Sequence, residues 1–175
     1  VPICDGHDSA INTINLEFIR HGIEVVYLGF HRYAGDIVRA AIQEDVAAIG
    51  ISSYNGGHID FFVEVVRQLR RKGAAEIAVF GGGGGTITPD DARLMKRHGV
   101  DQIFFAGTSL GEMADYVQKH YGRRRKKTGS KKSRPDLMLA RELTRIEDAF
   151  SGGKAPKKNR KSQIANRRSK VIGFT

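Results

Sequence analysis

The sequence predicts an α/β domain, a doubly wound parallel sheet of five strands with helices on both faces. Three observations in residues 1–121 lead there. Short apolar runs alternate five times with segments whose apolar residues recur at helical spacing. One run, VAAIGIS, is apolar almost throughout, as a strand covered on both faces requires. The residues that follow the strands are rich in glycine and serine, unlike connectors chosen only for solubility.

Each element can be justified in turn. VPIC, residues 1–4, reads as the end of a buried strand. Ala10 to His21 follows as a helix, with Ile11, Ile14, Leu16, Phe18 and Ile19 on or near one face and Gly22 as its stop. EVVYLGF is the next strand, and Tyr33 to Gln43 carries Ile37, Val38, Ala41 and Ile42 at helical spacing. VAAIGIS is the third strand; Ile59 to Lys72 is a helix closed by Gly73. EIAVF is the fourth strand and runs into five consecutive glycines. Thr88 caps a helix to His98, with Pro89 in its first turn and Asp90 and Asp91 near the positive end of its dipole. DQIFFAG is the fifth strand, and Ser109 caps a last helix that carries Glu112 and runs to about His120. Length and strand count suit a flavodoxin-like (Rossmann-like) domain. Such sheets bind ligands beyond the carboxyl ends of the strands, where strand order reverses. The loops to watch are therefore DGHDSA, SSYNGG, GGGGG and AGTS.

The rest of the chain differs in kind. Residues 122–135 form a basic linker, Asp136 to Phe150 reads as a helix, and residues 151–169 are a second basic linker. The last six residues, KVIGFT, have the pattern of a strand with nothing after it. Both ends look cut, so a fragment of a longer polypeptide is expected. The formal net charge of +10 divides unevenly: residues 1–121 hold 11 Lys+Arg against 15 Asp+Glu, and residues 122–175 hold 18 against 4. The predicted domain is mildly acidic, which argues against a nucleic-acid-binding face on it. No apolar stretch is long enough to span a bilayer and no secretory signal is evident. A single cysteine, Cys4, excludes an internal disulfide framework and suits a reducing cytosol, so a cytoplasmic location is expected.

Three loops carry candidate chemistry. Placed after a strand, His7 would point into the cleft, where it could bind a metal, act as a base or hold phosphate. Asp5, two residues earlier on an extended segment, can approach it. A carboxylate on one ring nitrogen fixes the tautomer and frees the other nitrogen for a metal. A plain polar turn, with Asp8 or Ser9 capping the helix, would account for the same residues. Ser52 and Ser53 close the third strand, and Tyr54, Asn55, Gly56 and Gly57 follow; small residues admit a ligand close to the backbone, although a serine turn is the simpler account. His58 reads as an ordinary helix-start residue. No turn needs five glycines, so Gly81, Gly82, Gly83, Gly84 and Gly85 suggest a flat or elongated group passing close to the backbone. A phosphate loop would need G-x-x-x-x-G-K-[ST], which is absent here.

Together these loops resemble the cobalamin-binding domain of the adenosylcobalamin-dependent acyl-CoA mutases and methionine synthase, whose pattern is D-x-H-x-x-G, then S-x-L, then G-G. Asp5-Gly6-His7-Asp8-Ser9-Ala10 matches the first, with Ala10 for glycine. Ser52-Ser53-Tyr54 matches the second, with Tyr54 for leucine. The third falls within Gly81–Gly85. DGHD, SYNGGH and the glycine run are most similar to the fused isobutyryl-CoA mutases of the methylmalonyl-CoA mutase family. The resemblance implies a base-off cofactor, adenosylcobalamin, with His7 as the lower ligand of its cobalt and Asp5 tuning that imidazole. It implies Ser52 against the displaced base and the glycines around the nucleotide tail. It also implies radical rearrangement of an acyl-CoA skeleton, with the substrate barrel and a P-loop GTPase domain elsewhere in the polypeptide. KVIGFT would then be the first strand of that GTPase. No catalytic residue would lie in this fragment, which alone would turn nothing over. The full-length enzyme could be a homodimer, and a membrane partner is not implied. Rival readings are a corrinoid carrier for methyl transfer in the same fold, a nucleic-acid or acidic-partner binder using the basic tail, and a phosphoacceptor receiver. The last needs a strand-end Asp where Ser52 stands.

Overall fold

The computed structural model describes residues 8–54, 56–122, 135–151 and 170–174, without the side chains of residues 8, 9, 151 and 170–174. The elements are α1 (Asp8–Arg20), β1 (Glu24–Tyr27), α2 (Ala34–Gln43), β2 (Ala48–Ser52), α3 (His58–Arg71), β3 (Ala78–Gly82), α4 (Pro89–His98), β4 (Gln102–Phe104), α5 (Leu110–Tyr121), α6 (Pro135–Ser151) and β5 (Lys170–Phe174). The five strands form one parallel sheet in the order β1-β5-β2-β3-β4.

The helices lie close to where their caps and periodicity put them. Gly22, at φ 76°, ends α1, and the Ile23 N–H returns to the Phe18 carbonyl at 3.0 Å. Both α4 and α5 open with a capping box, Thr88 with Asp91 and Ser109 with Glu112. The strands are shorter than their apolar runs. EVVYLGF pairs only as far as Tyr27, because Gly29 and His31 adopt positive φ and turn the chain away. DQIFFAG yields three strand residues before the turn at Gly107. β3 departs the other way and continues into Gly81 and Gly82.

Alternation across the sheet sorts the core into two clusters. On one face Ile49, Ile51 and Val79 pack with Ile37, Val38, Phe62, Val65, Leu69 and Met95 from α2, α3 and α4. On the other, Ala48, Ala78 and Phe80 meet Phe18 of α1 and Ala114, Val117 and Tyr121 of α5. The two faces thus carry helices as a doubly wound sheet requires.

The largest departure from the sequence reading concerns KVIGFT. Expected to open a separate domain, it lies inside this sheet: Ile172 stands opposite Val26 of β1 and opposite Ile49 of β2. In a flavodoxin-like order this central position belongs to the first strand. VPIC, read as that strand, lies outside the described residues. The physical reason is local: β1 and β2 each present a ladder of backbone N–H and C=O groups toward one gap, and a Val/Ile-containing segment in the gap satisfies both. The helix expected within the linker is α6, and it is part of the core. Leu137 is 1% exposed and Ala140 is buried beside it. Arg141 forms an ion pair with Glu76 and lies 3.9 Å from Asp45, which ties α6 to the ends of α2 and α3.

Candidate cofactor site at the carboxyl end of the sheet

A cavity of about 170 Å³ opens beyond the carboxyl ends of β2, β3 and β4, beneath α1 and the start of α5. Apolar cavities near this size hold a benzene-sized ring, so a planar heteroaromatic group is a fitting occupant. Its floor is Phe80, braced by Tyr121 stacked at 5.4 Å and by Phe104 edge-on at 6.1 Å. Burial, and after it the neighbouring Asp101, raises the Tyr121 phenol well above its ordinary value and keeps it neutral.

Of the residues singled out from the sequence, Ser52, Tyr54, Gly81, Gly82, Gly83 and Gly84 line this cavity. Ala10, Ser53, Gly56 and Gly85 are not in its wall. Asp5, Gly6, His7 and Asn55 lie outside the described residues, and Asp8 and Ser9 start α1 without described side chains. Among the described residues no cluster of three His, Cys, Asp or Glu side chains could hold a metal ion.

The glycine run has a reason that the sequence reading did not give. A Cβ at Gly81 would strike the Ile51 carbonyl and the Phe62 ring; at Gly82 it would lie 2.6 Å from the Phe104 carbonyl. At Gly83 it would strike the Ser53 carbonyl, and at Gly84 the Tyr54 ring. Gly85 has φ 95°. The protein's own backbone and aromatic rings therefore demand the run, whatever passes over it. The same crowding laces two loops together. The Ser53 N–H donates to the Gly82 carbonyl at 2.9 Å, and the Thr86 hydroxyl donates to the Ser53 carbonyl at 3.3 Å. His58, read as an ordinary helix start, has its Nε2 3.4 Å from the Asp91 carboxylate and joins the first turns of α3 and α4. The Thr88 backbone N–H, then its hydroxyl and then His58 hold the Asp91 carboxyl below the usual range.

Three parts of the wall were not among the expected binding residues. Phe105, Ala106, Gly107 and Thr108 belong to the loop after β4, whose position at a strand end was the available signal. Met113 comes from α5. Asn15, with Ile11, Ile14 and Phe18, comes from the inner face of α1, where a polar residue interrupting an apolar stripe was the signal.

The family profile of the B12 binding domain matches residues 4–114. The chain belongs to the B12-binding domain family. This agrees with the resemblance read from its loops and with the flavodoxin-like architecture. A fused isobutyryl-CoA mutase of Cupriavidus metallidurans is 46% identical over 100 residues, which are 57% of this chain and 9% of that protein. The 2-hydroxyisobutanoyl-CoA mutase small subunit of Aquincola tertiaricarbonis is 30% identical over 115 residues, 65% of this chain and 82% of the subunit. The mitochondrial methylmalonyl-CoA mutase of Homo sapiens is 30% identical over 113 residues, 65% of this chain and 15% of that protein. This chain thus spans about a tenth of the length of the fused relatives. No helix among the described residues of this B12-binding domain is long and apolar enough to cross a membrane.

The residues present suit the cofactor that the family name implies. The cavity sits at the carboxyl end of the sheet, and aromatic and small residues make up much of its wall.

Proposed function

We propose that this chain is the cobalamin-binding module of an adenosylcobalamin-dependent acyl-CoA carbon-skeleton mutase of the isobutyryl-CoA or methylmalonyl-CoA type. The observation that carries this reading is the cavity formed by α1, the Ser52–Tyr54 segment and Gly81–Gly84 in a member of the B12-binding family. In it, Ser52, Tyr54 and the glycines enclose the nucleotide tail. His7, immediately before α1, ligates the cobalt from below, and Asp5 orients its imidazole. Bound adenosylcobalamin supplies radical chemistry that no amino-acid side chain provides, and the protein supplies position and shelter. The corrinoid-carrier reading is not favoured, since the relatives described above are named as acyl-CoA mutases.

This assignment makes the chain one part of a mutase, inactive without a substrate barrel. It places the cofactor domain at residues 1–121 together with α6 and β5, which complete its core and sheet, and a P-loop GTPase domain further along the polypeptide. Reading the gene past Thr175 tests the last point: a G-x-x-x-x-G-K-[ST] must follow closely. The cofactor assignment is tested by absorbance. Mixing the chain with adenosylcobalamin is expected to give the base-off, His-bound spectrum, and His7→Ala to abolish the His-bound form. An unchanged spectrum in the variant would reject His7 as the ligand.

A further inference from the structure

α6 is apolar on two opposite sides. One side packs on the body of the fold, where Leu137 and Ala140 are buried and Arg141 pairs with Glu76. At about 100° of rotation per residue, Leu139, Leu143, Ile146 and Phe150 fall on the side turned away from it. Leu139 is 62% exposed, Leu143 53% and Phe150 74%, and Ile146 is partly exposed. A helix that only covers a core needs one apolar stripe and carries polar residues opposite. The outer stripe of α6 instead has spacings of four, three and four residues, the a/d seam of two helices packed side by side. Single exposed apolar residues are ordinary on a protein surface, but a continuous apolar stripe marks an interaction site. The segments on either side of α6 in the chain offer no counterpart to it. Residues 123–134 hold no hydrophobic residue, and residues 152–169 hold one large one, Ile164.

The charges beside the stripe suit a second α6. Glu142 and Arg145 flank one side and are paired with each other, and Glu147 flanks the other side. Two α6 helices running the same way would set Glu142 of each copy against Glu147 of the other, two like-charge contacts. Turned antiparallel about a two-fold axis between Leu143 and Ile146, the same stripes pair Leu143 with Ile146 and Leu139 with Phe150. The Glu142–Arg145 pair of one copy then meets that of the other with opposite charges adjacent, and no glutamate stands directly opposite another. The stripe is thus complementary to itself in one orientation, as a two-fold interface requires. We infer that α6 is a self-pairing surface, through which two copies of this chain join by the Leu139–Leu143–Ile146–Phe150 stripes of antiparallel helices. The inference does not depend on the cofactor reading. α6 packs on the α2–α3 side of the sheet, and the cavity opens on the α1–α5 side, so pairing leaves both cavities open.

Sedimentation velocity of the 175-residue chain tests the pairing. A seam of three turns is smaller than a standard interface, so a dissociation constant of about 10–100 µM is expected. Leu143→Gln, at a half-exposed site, is expected to weaken pairing about tenfold or more and to leave the melting temperature of the dilute protein unchanged. Orientation is read by disulfide trapping in a Cys4→Ser background. A mixture of Leu139→Cys and Phe150→Cys chains is expected to cross-link, and each variant by itself to give no cross-linked product. A wild-type chain that stays monomeric up to about 500 µM would overturn the inference, as would a dimer that Leu143→Gln leaves intact. Cross-linking of Leu139→Cys to itself would show the parallel arrangement and overturn it too. Should Leu143→Gln lower the melting temperature, the cross-linking pattern decides.

Discussion

Gly84 and Tyr54 show how closely the cavity is fitted at the level of single residues. A methyl group at Gly84 would land on the Tyr54 ring, and that ring lines the cavity. Gly84→Ala is expected to lower stability by about 1–3 kcal/mol, the usual cost of overpacking. Because the clash is with a side chain, adding Tyr54→Leu should recover most of the loss. Urea unfolding of the two single variants and the double variant measures this; independent, additive losses would contradict it. The contrast with Gly83 is instructive, since there the obstructing atom is the Ser53 carbonyl and no side-chain change can relieve it. This is also where sequence reasoning reached its limit. A run of five glycines announces crowding, but whether the crowding atom belongs to ligand or protein depends on β2 and β4, which the run itself does not encode. Asn15 was hidden differently: one polar residue within an apolar helix face looks like noise until the helix is seen over a cavity.

At the level of elements, the helices were legible because their signals are local. Thr88 and Ser109 each accept from a backbone N–H of their own first turn, and Asp91 and Glu112 return the bond. Thr88→Ala and Ser109→Ala are each expected to cost about 1 kcal/mol in urea unfolding near pH 7. The sign of the pH dependence follows from the returned bonds. Hydrogen bonds from the Thr88 and Ser109 backbone N–H groups, above all, hold the Asp91 and Glu112 carboxyls below their ordinary range. A depressed folded-state value means stability that is present above the unfolded carboxylate range and lost as pH falls through the folded value. Asp91→Ala and Glu112→Ala, which remove the returned bonds, should therefore destabilise near pH 7, and their penalty should shrink in acid, below about pH 4. A penalty constant down to pH 2 would show that the returned carboxylate bond contributes nothing. Strand ends were less legible, because positive φ at Gly29, His31 and Gly107 stops strands that hydrophobicity alone would prolong.

For the molecule as a whole, the alternation of elements was enough to predict a doubly wound parallel sheet, but not which segments are neighbours in it. KVIGFT was recognisable as a strand from its composition, whereas its partners, Glu24–Tyr27 and Ala48–Ser52, lie more than a hundred residues away. Pairing at that distance leaves no trace in local pattern. α6 was likewise visible as an amphipathic helix, while the burial of Leu137 and the ion pair of Arg141 with Glu76 depend on where the body of the fold presents a matching surface. β5 is the strand that joins β1 to the rest of the sheet. Ile172→Pro, which removes a backbone donor from the middle of the ladder, is expected to cost about 3 kcal/mol or more. Circular dichroism melts would register it as a large loss of cooperativity, and a melt superimposable on wild type would show that the sheet does not depend on β5.

The place of β5 also bears on how the chain is made. A ribosome releases β1 and β2 early, yet the strand that joins them emerges after every other strand of this sheet. Until residue 174 emerges, each of those two strands has an edge open to the wrong partner. Folding during synthesis must therefore leave the middle of the sheet unfinished until residues 170–174 are out, and a nascent chain halted before residue 170 should be the form most prone to pair with another of its kind.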